Sequence, residues 1–227
     1  GVNKGMKLLD VACGTGVVAL TASRHGAEVE GVDLTPELIK RAIENSKIMG
    51  LKAEFVEGDA EFLPYKENKF DIILSQYGHM FAPRPSIVVK ELARVLKPGG
   101  TLAFSTWPKE LFMGKFFKVI EDFSPPLPSE VESPVLWGDM AIIEERLGDH
   151  FEKIEFGRDT MLAPTMSPAH MLKLFEKNAG PLANLVRALA DDPSKLKELR
   201  ESVLVLVEKF FSNNFLKQDF LMTRCVK

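Results

Sequence analysis

The chain has 227 residues, 45% of them apolar and 27% charged, a balance that suits one α/β domain with an insertion and excludes a disordered chain. Lys and Arg number 29 against 32 Asp and Glu, a net charge of −3, so no basic excess exists to neutralise phosphates and nucleic acid is not an expected partner. The longest late aliphatic run, 203–207, is too short for a membrane span; no secretory leader opens the chain; and two cysteines with four unclustered histidines make neither a disulfide framework nor a metal site, so a reducing, cytoplasmic setting is expected.

In chain order, 6–11 reads as a short apolar strand that breaks at Cys13-Gly14-Thr15-Gly16, and Val17–Arg24 reads as a helix. Residues 27–32 form a second strand ending at Asp33. Thr35-Pro36-Glu37 is a helix start, with a Thr N-cap, Pro at the first helical position and an acid in the first turn; this helix stops at Gly50. Further strands are expected over 53–56, 70–75 and 101–105, with a helix over 86–96 that Lys97-Pro98-Gly99-Gly100 ends. Strands alternating with helices predict an α/β, Rossmann-like sheet of seven strands, mostly parallel, with helices on both faces.

Beyond Trp107 the pattern changes. Phe112, Phe116 and Ile120 recur at helical spacing, 124–134 holds four prolines and reads as a loop, 138–147 looks helical and 153–162 strand-like. A helical region follows over 168–189. Leu196, Leu199, Val203, Leu206 and Phe210 then make one amphipathic stripe, and Phe215–Val226 is the last strand. The expected organisation is a cofactor-binding core over 1–106. The remainder, 107–227, belongs to the same domain and carries a helical cap (107–137 and 168–211), inserted between late strands.

The decisive stretch is Leu8-Leu9-Asp10-Val11-Ala12-Cys13-Gly14-Thr15-Gly16, which joins the first strand to the first helix. In an open α/β sheet, ligands sit at the carboxyl ends of the strands. Small residues there let the backbone approach a ligand, and the following helix presents free N–H groups. Gly14-x-Gly16-x-x-Ala19, with Asp33 placed 17 residues after Gly16, satisfies a dinucleotide-binding pattern and would suit a nicotinamide-dependent oxidoreductase. Asp10 argues otherwise. A carboxylate before the turn repels a pyrophosphate and welcomes a cationic ammonium. A ligand with a ribose, an adenine and a positive amino-acid end fits better, and S-adenosylmethionine has all three.

With those residues in place, the chain resembles class I S-adenosylmethionine-dependent methyltransferases, in the group similar to ubiquinone/menaquinone-biosynthesis C-methyltransferases. The resemblance covers about residues 6–106 as an ordered set of motifs. Leu8 to Gly16 is similar to the first motif, with Ala12 at the first Gly position. Val29-Glu30-Gly31-Val32-Asp33-Leu34 is similar to the second, whose acid takes the ribose hydroxyls. Glu57-Gly58-Asp59-Ala60 is similar to the third, where Asp59 would accept from the adenine amino group. Phe70-Asp71-Ile72-Ile73-Leu74-Ser75 and Leu96-Lys97-Pro98-Gly99-Gly100-Thr101 complete the set. The resemblance implies that the last strand is antiparallel and that Asp10, Ala12, Gly14, Gly16, Asp33, Leu34, Asp59, Ala60, Ser75 and Gln76 bind the cofactor. The tail, with Ser133-Pro134-Val135-Leu136-Trp137-Gly138, gives no substrate.

Each role has a simpler alternative. Asp33 can hydrogen-bond a vicinal diol or merely cap the next helix. Asp59 can meet adenine or cap the turn at Ala60. Asp10 can touch the ligand or act by fixing the loop's N–H groups. Leu34 can pack on adenine or belong to the core.

On the acceptor side, methyl transfer from a sulfonium is an in-line displacement in which the protein chiefly aligns the partners and keeps the site dry. A base is needed only if the acceptor must lose a proton. His79, in Ser75-Gln76-Tyr77-Gly78-His79-Met80-Phe81, is the candidate catalytic base, with Tyr77 behind it; alternatively the imidazole packs beside the methionine end of the cofactor. His25, His150 and His170 read as surface or helix-end residues. Cys13 sits in the loop at a family-typical position and is not expected to be a nucleophile. Trp107 lines an acceptor pocket or belongs to the core. The expected partner is an apolar small-molecule acceptor, methylated on carbon or oxygen, with no stable membrane insertion, since the charges beside the 196–210 stripe are mixed. A non-catalytic cofactor-binding module is the remaining alternative. The start at Gly1, close to the first strand, leads to the expectation of a longer natural chain with a preceding helical segment.

Overall fold

The fold is described from a computed structural model of the chain, over residues 1–126, 128 and 131–227. The expected loop over 124–134 includes Leu127, Ser129 and Glu130, which lie outside the described residues.

The first hundred residues alternate strand and helix: β1 (Lys7–Val11), α1 (Val17–Arg24), β2 (Glu28–Asp33), α2 (Pro36–Met49), β3 (Ala53–Glu57), β4 (Phe70–Gln76), α3 (Pro85–Val95) and β5 (Leu96–Thr106). The later chain adds α4 (Phe112–Phe123), α5 (Met140–Leu147), β6 (Glu152–Pro164), α6 (Pro168–Asn178), α7 (Gly180–Ala188), α8 (Pro193–Phe210), β7 (Phe211–Ser212) and β8 (Phe215–Val226), with short 3-10 turns at His79–Phe81 and Pro134–Gly138. The sheet order is β3-β2-β1-β4-β5-β8-β6, with the two-residue β7 paired to β8 as an eighth strand. β1 runs parallel to β2 and to β4, β2 to β3, and β4 to β5; the late strands are antiparallel and helices cover both faces. The predicted α/β Rossmann-like architecture is the observed one.

The inner strands are apolar because both faces are covered. Leu8, Leu9, Val11 and Ile73 are buried in β1 and β4, while Ala19, Leu20, Ile39, Ala42 and Phe55 pack as a cluster between strands and helices. Thr35 stands at the N-cap of α2, as the Thr-Pro-Glu pattern predicts, but its side chain makes no cap hydrogen bond. Its N–H is instead held by Asp33 Oδ1 at 2.9 Å.

Two expectations about elements change. The Lys97-Pro98-Gly99-Gly100 segment belongs to β5, because Gly99 N–H donates to the Lys227 carbonyl (2.7 Å) and Lys227 N–H to the Gly100 carbonyl (3.0 Å). The region 168–189 is two helices, since Ala179 is extended (φ −88°, ψ 101°) and α7 restarts with Pro181 in its first turn, where no N–H is required.

The chain divides into two compact units. One comprises Gly1–Thr106, Ser129–Gly157 and Met222–Lys227, the other Trp107–Pro128 and Arg158–Leu221. The second unit has an aromatic core of its own: Phe116 packs 4.9 Å from Phe175 and Phe112 5.4 Å from Phe210, between ring centroids. In the same unit Trp107 is buried and meets Phe220 edge to face at 6.3 Å.

Candidate active site

The site is built at the carboxyl ends of β1, β2, β3 and β4, in the first unit. β1 ends in a tight loop whose backbone is fixed at both ends. Cys13 N–H donates to the Val32 carbonyl (3.0 Å), and Gly16 N–H turns back to the Cys13 carbonyl (2.9 Å). Asn45 Nδ2 holds the Thr15 carbonyl at 2.9 Å. Gly16 has φ +85°, and a Cβ there would stand 2.9 Å from the Phe55 ring, so the turn requires glycine for both conformation and space.

Two carboxylates organise this loop. Asp10 is buried beneath it, and its Oδ2 accepts the Ala19 N–H of α1 at 2.9 Å. Burial pushes its pKa up to about 7; the Ala19 N–H partly offsets this and the nearby Asp33 charge adds to it. Asp33 accepts Gly14 N–H on Oδ2 (2.8 Å) and Thr35 N–H on Oδ1 (2.9 Å), so it ties the loop after β1 to the start of α2. Asp10 therefore fills one N–H of the helix terminus with an internal carboxyl group. A pyrophosphate would have to displace it, which disfavours the dinucleotide reading of this loop.

A cavity of about 670 Å³ opens here. Of the residues expected to bind cofactor, Ala12, Gly14, Asp33, Leu34, Asp59, Ala60 and Gln76 line it. Asp10, Gly16 and Ser75 do not: they support the wall from behind. Asp59 Oδ1 accepts the Glu61 N–H at 2.8 Å, so Asp59 caps its own turn while facing the cavity. Leu34 is 67% exposed and is not core.

His79 lies apart from the cavity wall. The residue is 1% exposed, its ring wedged edge-on against Phe104 (4.6 Å) and Trp137 (4.7 Å). Burial, with a contribution from the Arg146 charge, pushes its pKa down to about 3. The Ser75 hydroxyl donates to the Val11 carbonyl (2.8 Å), which leaves Ser75 Oγ to accept from His79 Nδ1–H at 3.1 Å. This neutral, buried imidazole does not have the surroundings of a general base. Burial also pushes the Cys13 thiol well up, so it is no nucleophile. His25 and His150 are exposed, and His170 lies in the first turn of α6, as expected.

Sequence reasoning missed part of the wall. Glu61, Ala82, Pro83 and Arg84 line the cavity, beside Tyr77, Gly78 and Phe81 of the segment already singled out around His79. Glu61 and Arg84 are 23 residues apart in different loops, and no local pattern couples them. Tyr77 has φ +60° and Ala12 φ +54°, both left-handed values that non-glycine residues adopt at a cost of roughly 1–2 kcal/mol. Among the described residues no cluster of metal-ligating side chains occurs, and no helix is long and apolar enough to cross a membrane.

The sheet order β3-β2-β1-β4-β5-β8-β6 with antiparallel late strands, and a cavity at the ends of the parallel strands bounded by a small-residue loop after β1 and the acid that ends β2, match the class I S-adenosylmethionine-dependent methyltransferase fold. A family model described as a methyltransferase domain matches residues 9–104. The uncharacterized protein Rv1403c of Mycobacterium tuberculosis is 33% identical over 223 residues, 98% of this chain and 81% of that protein. A demethylmenaquinone methyltransferase of Staphylococcus aureus is 39% identical over 103 residues, 44% of this chain and 42% of that enzyme. The structure of Haemonchus contortus phosphoethanolamine N-methyltransferase 2 in complex with S-adenosyl-L-methionine superposes with a TM-score of 0.63 at 19% identity, covering 100% of this chain and 50% of that one. The chain belongs to the same family as Rv1403c, its residues 9–104 are a methyltransferase domain, and it is a methyltransferase enzyme with the class I S-adenosylmethionine-dependent fold.

Proposed function

We propose that the chain methylates an apolar small molecule, on carbon or oxygen, by in-line displacement. The observation that carries the reading is the cavity wall itself, with Asp33 held by two backbone N–H groups beside the open Ala12–Gly14 loop. Bound S-adenosylmethionine supplies a methyl group on a positively charged sulfur. Asp33 keeps lone pairs free on both oxygens for the ribose hydroxyls, and Leu34 and Ala60 offer surface to the adenine. Asp59 offers its second carboxylate oxygen to the adenine amino group. Gly14 and Gln76 face the amino-acid end. Asp10 acts indirectly, by holding α1 against the loop.

The reaction needs no protein base in this reading. His79 is neutral and sealed, Glu61 is filled by Arg84, and Asp33 and Asp59 are given to the cofactor in this reading. That favours an acceptor that arrives already ionised, such as the phenolate of an acidic phenol or quinol whose proton has gone to solvent; after transfer to oxygen nothing further need leave, and a ring carbon that takes the methyl gives up its proton to solvent. The Staphylococcus aureus relative, whose name states demethylmenaquinone, supports an apolar acceptor of this kind. The two free, buried cysteines support a reducing, cytoplasmic setting.

The test is a screen with methyl-labelled S-adenosylmethionine against lipophilic quinols, phenols and small organic acids, followed by mass spectrometry to locate the methyl. Label transfer to a quinol or phenol is the expected result. Turnover confined to polar amines or acids overturns the apolar reading.

A further inference from the structure

The cavity has a roof that the family motifs do not contain. β3 and β4 are separated in the sheet by β2 and β1, so the loops that follow them start three strand steps apart, roughly 14 Å at the usual spacing. These two loops nevertheless meet. Glu61, after β3, accepts Arg84 N–H on Oε1 (2.7 Å) and Arg84 Nε–H on Oε2 (2.7 Å), and the Arg84 Nη2 group closes the fork. The Glu61 side chain is 3% exposed whereas that of Arg84 is 61% exposed. A buried carboxylate with three donors is fully satisfied, and without them it would be a costly orphan. All of Asp59, Ala60, Glu61, Phe81, Ala82, Pro83 and Arg84 line the same cavity.

The pair also reaches Asp59. Asp59 Oδ1 accepts the Glu61 N–H at 2.8 Å, and Phe62 N–H returns to the Asp59 carbonyl at 3.0 Å. Glu61 is thus held by Asp59 on one side and by Arg84 on the other. Arg84 is itself the N-cap residue of α3: its carbonyl accepts from Ile87 (3.0 Å) and Val88 (3.2 Å). The orientation of Asp59 is therefore referred, through Glu61 and Arg84, to a rigid helix on the far side of the cavity.

We propose that Glu61 and Arg84 are a positioning pair for the adenine end of the cofactor site, acting through Asp59 to set how tightly and how selectively the base is held. The proposal rests on the adenine role given to Asp59 above. Neither residue touches the reacting atoms. Their effect is to join the two loops that bound the base and to hold Asp59 where it can accept from an amino group.

Titration calorimetry and stopped-flow dissociation on the whole chain test this, using S-adenosylhomocysteine and S-inosylhomocysteine, which replaces the amino group of the base with oxygen. Wild type is expected to prefer the adenosyl compound. Glu61→Gln and Arg84→Gln are each expected to weaken S-adenosylhomocysteine binding about 10-fold or more, mainly through faster release, and to shrink the base preference at least about 5-fold. The double variant is expected to be no worse than either single one, since the two residues act as a unit. Arg84→Lys keeps the charge but not the fork and is expected to recover part of the affinity. Because Arg84 is largely exposed, its variants carry the test if Glu61→Gln does not fold. Variants that lose thermal stability yet keep the base preference assign the pair a merely structural role and overturn the proposal, as do additive single effects. A wild-type chain that binds S-adenosylhomocysteine without base preference overturns the role of Asp59 itself, and the proposal with it.

Discussion

A carboxylic acid sealed beneath the β1–α1 loop ties the stability of this site to pH. An unfolded Asp releases its proton near 3.8, whereas folded Asp10 holds it to about 7, chiefly because burial penalises the charge. Between those values the folded chain binds more protons than the unfolded one, so the contribution of Asp10 to stability falls as pH rises from about 4 to about 7 and is level above that. The whole loss is at most about 4 kcal/mol. Asp10→Asn keeps an oxygen for the Ala19 N–H and removes the titration. Calorimetric melting should show the variant gaining on wild type from pH 5 to pH 8, and a pH-independent difference would contradict the buried charge. Asp33 works at the same scale but on the ligand. Asp33→Asn weakens its charged hydrogen bonds, and S-adenosylhomocysteine affinity should fall by about 1.5–3 kcal/mol in titration calorimetry. An unchanged affinity would remove Asp33 from the cofactor contacts. The position of both acids was legible from the strand-end motif. The bond from Asp33 to the start of α2 was legible as a helix cap, but the one that ties it back to Gly14 was not, because it goes to a backbone N–H 19 residues away, which a sequence does not distinguish.

Two loops interlock at the next scale. A Cβ added to Gly78 would stand 2.3 Å from Ala12 Cβ and 2.9 Å from the Ala12 carbonyl oxygen, so the turn after β4 presses on the loop after β1. Gly78→Ala must therefore move the cavity wall, and S-adenosylhomocysteine affinity should drop at least about 10-fold, with a stability loss of about 1–3 kcal/mol from overpacking. Ala12→Gly in the same chain removes the closer clash and relieves a left-handed alanine, so the double variant should recover part of the affinity; no recovery would place the damage elsewhere. Elements whose information is local were readable: α1 and β8 have the bounds that periodicity gave them. Elements set by distant partners were not. The reach of β5 into Pro98-Gly99-Gly100 depends on Lys227, at the other end of the chain, and the break between α6 and α7 depends on one extended residue, Ala179, inside a continuous helical pattern. The Glu61–Arg84 fork belongs to the same kind: each partner reads as an ordinary loop charge until the sheet order brings the loops together.

At the scale of the molecule, the cofactor cavity is lined by residues 12–84, yet the compact unit that holds it is not a contiguous stretch of chain. Residues 129–157 return to it with Trp137, which is buried edge-on against both His79 and Phe104 (4.7 and 5.6 Å between ring centroids). Residues 222–227 return with Cys225, buried beneath the Leu102 carbonyl, and with Lys227, which pairs to Gly99 and Gly100. A fragment ending at residue 106 would carry every cofactor motif and lack both closures. Exposing the surface that Trp137 covers costs about 3–5 kcal/mol, as in large-to-small core substitutions, and the unpaired edge of β5 adds to it. Against a total stability of about 5–15 kcal/mol, that loss consumes most of the margin. The fragment 1–106 should therefore unfold without a cooperative transition in guanidinium and fail to bind S-adenosylhomocysteine, while the whole chain melts cooperatively and is stabilised by about 2.7 kcal/mol at a ligand concentration 100 times Kd. A fragment that binds and melts sharply would show instead that the motif-bearing half is a self-sufficient domain, and that Trp137 and Lys227 only decorate it.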